Sequence, residues 1–436
     1  MTDSYGAWRC KIVLRSVSTL GRWVSGTAIC AAMLLIWGCG QRSAPGVAPS
    51  LSASSQRVAG IPLAMLDKAG LQVAWLQKLP LGCAESVERI FHHQGRLFVL
   101  DDHNRLYALD ARQGTIAWSQ DLAAARLPCS PVYYYQDSML FVLGNTFVQV
   151  RCSDGMIQQT MEIKYPVSTS VARTDELIFV GSTNGRFYAL RSTDGIPIWQ
   201  SLCADEPLGS VAIYQDKVYF VTKDNTLFVS ATNDRQAAWP SYTANGTLVG
   251  AVVADEQCLL PSGDTTLYCF DSGDGSMRWK YLAGGSLAEL PVLTPTAIYQ
   301  PVEHMSLLCL ERQIEPHQKQ GQLRWKLPDG ACLLAENGTA TYAMTLNREL
   351  TLMDNITGQQ KLSFYVQNMD IYARNSETAM IFLASRTGTF LALKPTRIEV
   401  PLEPYTTATE YVEPLTEPVP ADNNDKSEGE GELEYY

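Results

Sequence analysis

The chain has 436 residues, with 45 acidic and 34 basic side chains, a formal charge of −11, 46% hydrophobic and 18% charged residues. These values exclude a disordered chain and a multi-pass membrane protein. They also exclude a basic nucleic-acid binder, which needs clustered Lys and Arg. The charge is unevenly spread. Residues 399–436 hold eleven acids and one base (Lys426), and residues 1–38 hold one acid (Asp3) and four bases (Arg9, Lys11, Arg15 and Arg22), which leaves −4 for residues 39–398.

In chain order, the first feature is the uncharged apolar run SGTAICAAMLLIW at residues 25–37, behind a basic segment. It is shorter than the roughly 20 residues a membrane span needs and fits a signal-peptide core. The run leads into Ile36-Trp37-Gly38-Cys39, which resembles the bacterial lipobox. That resemblance implies cleavage after Gly38, lipidation of Cys39 and an acyl anchor in a membrane surface. Trp37 is bulky for its place, so an ordinary signal peptide or a membrane anchor stays open. All three readings imply export. Residues 40–59, GQRSAPGVAPSLSASSQRVA, have the composition of a flexible tether. The expected organisation is a signal peptide over 1–38, a lipidated cysteine and tether over 39–69, a folded domain over 70–398, and an acidic, Pro-interrupted disordered tail over 399–436.

The folded domain carries a repeat. Beyond the signal region there are six tryptophans, Trp75, Trp118, Trp199, Trp239, Trp279 and Trp325, at spacings of 43, 81, 40, 40 and 46. The 81 is two periods with one tryptophan replaced: Gly155 plus four gives Gln159, just as Gly114, Gly195, Gly275 and Gly321 lead by four to tryptophans. Gly358 leads in the same way to Leu362, so the series has eight members. Each is preceded by two apolar runs joined by a polar turn, and eight such hairpins are predicted at 97–109, 139–150, 177–190, 217–229, 258–270, 297–310, 340–353 and 380–393. Asn184-Gly185 reads as a two-residue turn with both centres at positive φ. No sustained helical period crosses this region.

A period near forty with several short strands predicts an all-β, eight-bladed β-propeller of four-stranded antiparallel blades. The eighth hairpin has no tryptophan strand after it, whereas Trp75 precedes the first. The N-terminal strand is therefore expected to complete the last blade and close the ring.

ALDARQGTIAW, from Ala108 to Trp118, resembles the docking repeat of the pyrroloquinoline-quinone-type β-propellers, which has Ala, Asp, Gly and Trp at its first, third, seventh and eleventh positions. Ala108, Asp110, Gly114 and Trp118 match all four. Ala189, Gly195 and Trp199 match with Arg191 in the Asp place, and Asp271, Gly275 and Trp279 match with Cys269 in the Ala place. Cys309 takes the Ala place in blade six, and blade eight keeps Ala392. The resemblance implies that each ring packs flat on the neighbouring blade, with the small residue making room, so the tryptophans are structural. A Trp-Asp propeller is excluded, because no Trp-Asp dipeptide occurs.

Eight cysteines lie beyond Cys39: Cys83, Cys129, Cys152, Cys203, Cys258, Cys269, Cys309 and Cys332. Export permits disulfides, but burial alone explains Cys269 and Cys309, and no pairing follows. The histidines are His92, His93, His103, His304 and His317. His92 and His93 alternate faces of a strand and are not expected to ligate together. Asp101-Asp102-His103-Asn104 reads as a turn tip rather than a calcium loop. No hydrolase, zinc-protease or phosphate-loop motif occurs.

No catalytic, cofactor or metal residue is therefore expected. A quinone-dependent dehydrogenase would need a Ca²⁺ site and a catalytic Asp, and the adjacent cysteine pair of many such enzymes is missing. A lipobox ahead of an eight-bladed propeller of this type is similar to the scaffold lipoprotein of the outer-membrane β-barrel assembly machine. That similarity implies protein partners (a barrel-forming insertase and nascent barrel proteins), an outer-membrane anchor facing the periplasm, and a monomer within a larger complex. Gly40 is compatible with outer-membrane sorting. The acidic tail lies outside that pattern, and a binding or adhesion module for another envelope or host ligand stays open.

Overall fold

The computed structural model describes residues 57–123, 126–312 and 321–397. Cys39, the signal segment, the acidic tail and His317 lie outside the described residues. Eight four-stranded antiparallel sheets follow one another along the chain, and the molecule is an eight-bladed β-propeller. Blade 1 is Val87–His93, Arg96–Asp101, Arg105–Asp110 and Ile116–Asp121, written from inner to outer strand. Blades 2 to 7 repeat this order, ending on outer strands Ile157–Glu162, Pro197–Leu202, Tyr242–Thr243, Met277–Leu282, Leu323–Pro328 and Gln360–Tyr365.

All eight predicted hairpins form the two middle strands of a blade. Their residues are apolar in continuous runs because each middle strand is covered on both faces by neighbouring blades. Ser138–Leu143 and Leu177–Ser182 are buried at every position. In blade 5, Cys258 and Leu260 face the core shared with blade 4, whereas Leu259 and Cys269 face the core shared with blade 6. Outer strands cover one neighbour only, and Ile157–Glu162 accordingly alternates half-buried and exposed.

The turn at Asn184-Gly185 corrects the sequence reading. Ser182 pairs with Arg186, so the turn has three residues, and Gly185 alone takes a positive φ (76°). Asn184 stays in the ordinary region, because its side-chain Oδ1 accepts the Arg186 N–H at 3.1 Å. Asp101-Asp102-His103-Asn104 is a turn of the same kind, with Asp101 Oδ1 accepting the backbone N–H of His103 (2.9 Å) and Arg105 (2.8 Å).

The ring closes as expected. Leu71–Lys78 pairs antiparallel with Thr389–Pro395 as the outer strand of blade 8, with Trp75 opposite Ala392. Where other blades have a covalent turn between third and outer strands, blade 8 has two chain ends joined by a hydrogen bond from Thr396 N–H to Gly70 C=O at 2.8 Å.

Residues 57–69 depart from the expected tether. They form the strand pair Arg57–Val58 and Ile61–Pro62 and the helix Leu63–Lys68. Ile61 and Leu66 are buried with Leu352, Leu362 and Phe364 of blade 7. The reason is local. Blade 8 has no glycine turn for a blade 7 indole to dock on, Leu362 stands in the indole place, and the N-terminal segment fills the remaining apolar space.

Candidate functional site

The repeat residues build the seams between blades. At each position below, a Cβ added to the turn glycine would overlap the tryptophan side chain of the preceding blade: 2.5 Å from the Trp75 ring at Gly114, 2.5 Å from the Trp118 ring at Gly155, 2.2 Å from the Trp239 ring at Gly275, 2.4 Å from the Trp279 ring at Gly321 and, at Gly358, 2.2 Å from Trp325 Cβ and 2.6 Å from its ring. These glycines also hold φ between 68° and 76°, a conformation that L side chains resist. Each ring thus lies flat on a glycine of the next blade, and Trp75 carries the series from blade 8 to blade 1. The residue opposite each ring is small: Ala108 faces Trp118, Ala189 faces Trp199, Cys269 faces Trp279 and Cys309 faces Trp325.

At Trp75, Trp118 and Trp325 the indole N–H reaches the carbonyl three residues before the glycine, whereas that of Trp279 has no hydrogen-bond partner among the described residues. Trp75 donates to Ala111 O at 2.8 Å, Trp118 to Cys152 O at 3.1 Å and Trp325 to Asn355 O at 2.9 Å. Trp199 donates to Thr232 O at 3.1 Å, although blade 4 has no glycine at that turn. Trp239 differs: the Ser272 carbonyl in the equivalent place accepts the Tyr219 hydroxyl at 3.2 Å, and the Trp239 N–H has no hydrogen-bond partner among the described residues.

The seam between blades 2 and 3 is built otherwise. Gln159 occupies the indole place, and its Nε2 donates to Ser192 O, the same backbone acceptor an indole would use. Met161 takes the space over Gly195, with its sulfur 2.8 Å from where a Cβ would stand. Arg173 donates to Gln149 Oε1 and to Gln159 Oε1 (3.1 Å), and its guanidinium lies 5.3 Å from the centre of the Tyr135 ring. The Tyr135 hydroxyl donates to Asp175, and burial with that neighbouring acid raises its pKa.

The cysteines follow the packing. All eight described cysteines are free. Burial pushes the thiols of Cys269 and Cys309 up to about 12, so both stay protonated at neutral pH as compact hydrophobes. The histidine pair departs from expectation. His92 and His93 do leave the strand on opposite sides, stacking on Phe382 and Tyr134 respectively. Yet Glu377, on the loop between the first two strands of blade 8, reaches both across the strand end.

A central cavity of about 740 Å³ opens between the inner strands. On one side, blades 3, 4 and 5 are joined by parallel backbone hydrogen bonds, Ser170 N–H to Gly209 O (2.9 Å) and Ser210 N–H to Val249 O (3.1 Å). The sequence reading missed these residues, although Ser130, Ser170, Ser210 and Gly250 recur at the forty-residue period. Opposite them, Arg374 of blade 8 pairs with Glu289 of blade 6.

The wall does not fit a quinone with its Ca²⁺, which takes six to eight oxygen ligands. Glu289 is its one carboxylate and is paired with Arg374. The hydroxyls of Ser130, Ser168 and Thr169 donate to backbone carbonyls, and that of Ser170 accepts a backbone N–H. No group of three or more His, Cys, Asp or Glu among the described residues is placed to hold a metal.

Comparison with known proteins bears on the repeat and the fold. Residues 149–282 match the family model described as outer membrane protein assembly factor BamB. The crystal structure of BamB from Moraxella catarrhalis superposes with a TM-score of 0.56 at 12% identity, covering 74% of this chain and 97% of that one. A computationally designed protein, Ika8, superposes with a TM-score of 0.57 at 10% identity, covering 72% of this chain and 98% of that one. No curated protein matches the sequence. Docked indoles, turn glycines and eight closed blades together make this chain a PQQ-like, BamB-like β-propeller.

Proposed function

We propose that the protein is a non-catalytic scaffold of the cell envelope that assists the assembly of outer-membrane β-barrel proteins. The observation that carries this reading is the eight-bladed ring whose repeat matches the BamB model over residues 149–282. Interlocked seams make a stiff disc, and a stiff disc presents its loops in fixed positions to a partner. The outer strands end their sheets and leave a row of backbone donors and acceptors unpaired along the rim. An extended segment of a nascent barrel can add to such an edge as a further strand.

The anchor completes the proposal: lipidation at Cys39 would hold the disc at the outer membrane, facing the periplasm. Among the described residues no helix is long and apolar enough to cross a membrane. The acidic tail, residues 399–436, favours a second reading, a binding or adhesion module whose partner is another envelope or host ligand.

Mild-detergent extraction followed by affinity purification separates the two. The assembly role predicts co-purification of a large outer-membrane barrel protein in near-stoichiometric amount. Recovery of other envelope complexes intact, with no barrel protein attached to this chain, would reject it. Metabolic labelling with a fatty acid tests the anchor, and Cys39→Ala is expected to abolish the label.

A further inference from the structure

We propose that the ring's closing joint carries a proton-sensitive clasp, formed by His92 and His93 of blade 1 against Glu377 of blade 8, that releases in acid. Here the inner strand of blade 1, from the N-terminal part of the chain, meets the C-terminal strands of blade 8, so this contact adds to the pairing of Leu71–Lys78 with Thr389–Pro395 that closes the circle. Its polar centre is small. Glu377 Oε1 lies 3.0 Å from His93 Nδ1, and Glu377 Oε2 accepts the Gln94 N–H at 2.8 Å and lies 3.4 Å from His92 Nδ1.

One carboxylate therefore faces two imidazoles and can balance only one positive charge. His92 is 8% exposed, stacks on Phe382 with ring centres 5.2 Å apart, and neither of its ring nitrogens makes a hydrogen bond among the described residues. The nearby Asn375 directs its Nδ2 to Thr378 Oγ1 and Met380 O, both at 2.7 Å. On the blade 2 side, Tyr134 stacks on His93 at 3.8 Å. Burial holds its hydroxyl and the Cys152 thiol protonated, so neither adds a negative charge.

The direction follows from linkage. Burial, opposed by Glu377, lowers His92 from 6.5 to about 4 in the closed ring. Burial alone would raise Glu377, but the His93 hydrogen bond and the two imidazoles hold it below its ordinary value. An opened joint gives His92 back to water, where it binds a proton near pH 6.5. Closure is thus fully favoured above pH 6.5 and weakens as pH falls toward 4. A proton on His93 alone leaves a balanced pair with Glu377. A second, on His92, leaves an uncompensated charge against Phe382.

The test is amide hydrogen exchange of the full chain at pH 7.5, 5.5 and 4.5, corrected for intrinsic exchange. Peptides covering 87–93 and 371–384 should open on the order of tenfold or more between the highest and lowest pH, while those of the Trp239–Gly275 seam stay protected. His92→Phe, which keeps the stacking and removes the titration, should abolish the selective opening. Equal loss at every seam, or an unchanged response in His92→Phe, overturns the clasp. A second measurement does not depend on the variant folding: ring NMR of the wild-type chain should show His92 titrating more than one pH unit below the ordinary histidine value of 6.5, and titration at the ordinary value overturns it equally.

Discussion

The seam between blades 6 and 7 and the seam between blades 2 and 3 solve one packing problem with different chemistry. At the first, Trp325 lies on Gly358 and donates to Asn355 O at 2.9 Å. At the second, Met161 lies on Gly195, and Gln159 donates to Ser192 O. The backbone acceptor and the glycine platform are retained, while the single side chain that satisfied both is divided into two. An indole supplies its apolar face and its donor on one rigid frame, whereas Gln159 must be held by Arg173, which bonds Gln149, which in turn bonds Gln158. The indole seam is consequently stabilised by area, and the polar seam depends on every member of its network being satisfied.

Mutations can break this comparison. The largest effect is expected for Trp325→Ala, which removes a 5% exposed indole from between two blades; equilibrium denaturation should register a loss of about 3–5 kcal/mol. Next comes Gly275→Ala, whose Cβ would meet the Trp239 ring at 2.2 Å while also holding φ at 76°. Gly185→Ala has the same φ and nothing within 4 Å, so it isolates the backbone cost of about 1–2 kcal/mol. The excess of the first variant over the second measures the docking alone, and equal losses would show that the ring can move aside.

For the polar seam, Gln159→Leu leaves the Ser192 carbonyl without its donor and Arg173 without one acceptor. A loss of about 1–3 kcal/mol is expected, partly recovered when Arg173→Met is added, since that removes the guanidinium left short of an acceptor while the Ser192 carbonyl stays unpaired; full additivity would contradict a shared network. The smallest effect is assigned to Arg105→Ala, whose pair with Asp121 is largely exposed; thermal unfolding should show less than about 1 kcal/mol.

Much of the fold was legible in the chain because a propeller repeats. Every hairpin had its apolar runs and turn residues, and the glycine-to-tryptophan offset of four gave both blade count and closure. Other features were not legible, each for a physical reason. Gln159 reads as a lost tryptophan, because one sequence position does not reveal that its amide reaches the same carbonyl. Residues 57–69 read as tether because they are short and follow a Ser-rich run, although Ile61 and Leu66 are buried in the gap left by Leu362. The Glu377 bridge joins residues 284 apart in the chain, a proximity that only ring closure creates.

By itself the sequence determined the repeat unit, the number of blades and the docking of one ring per unit, since these depend on alternation, turn chemistry and spacing within about forty residues. The tertiary structure alone decided how the exceptions were accommodated: which side chains replace a missing indole, what fills blade 7's empty docking place, and which charged groups meet where the circle closes. Those outcomes depend on which blades become neighbours, and strands distant in sequence become neighbours only once the ring has closed.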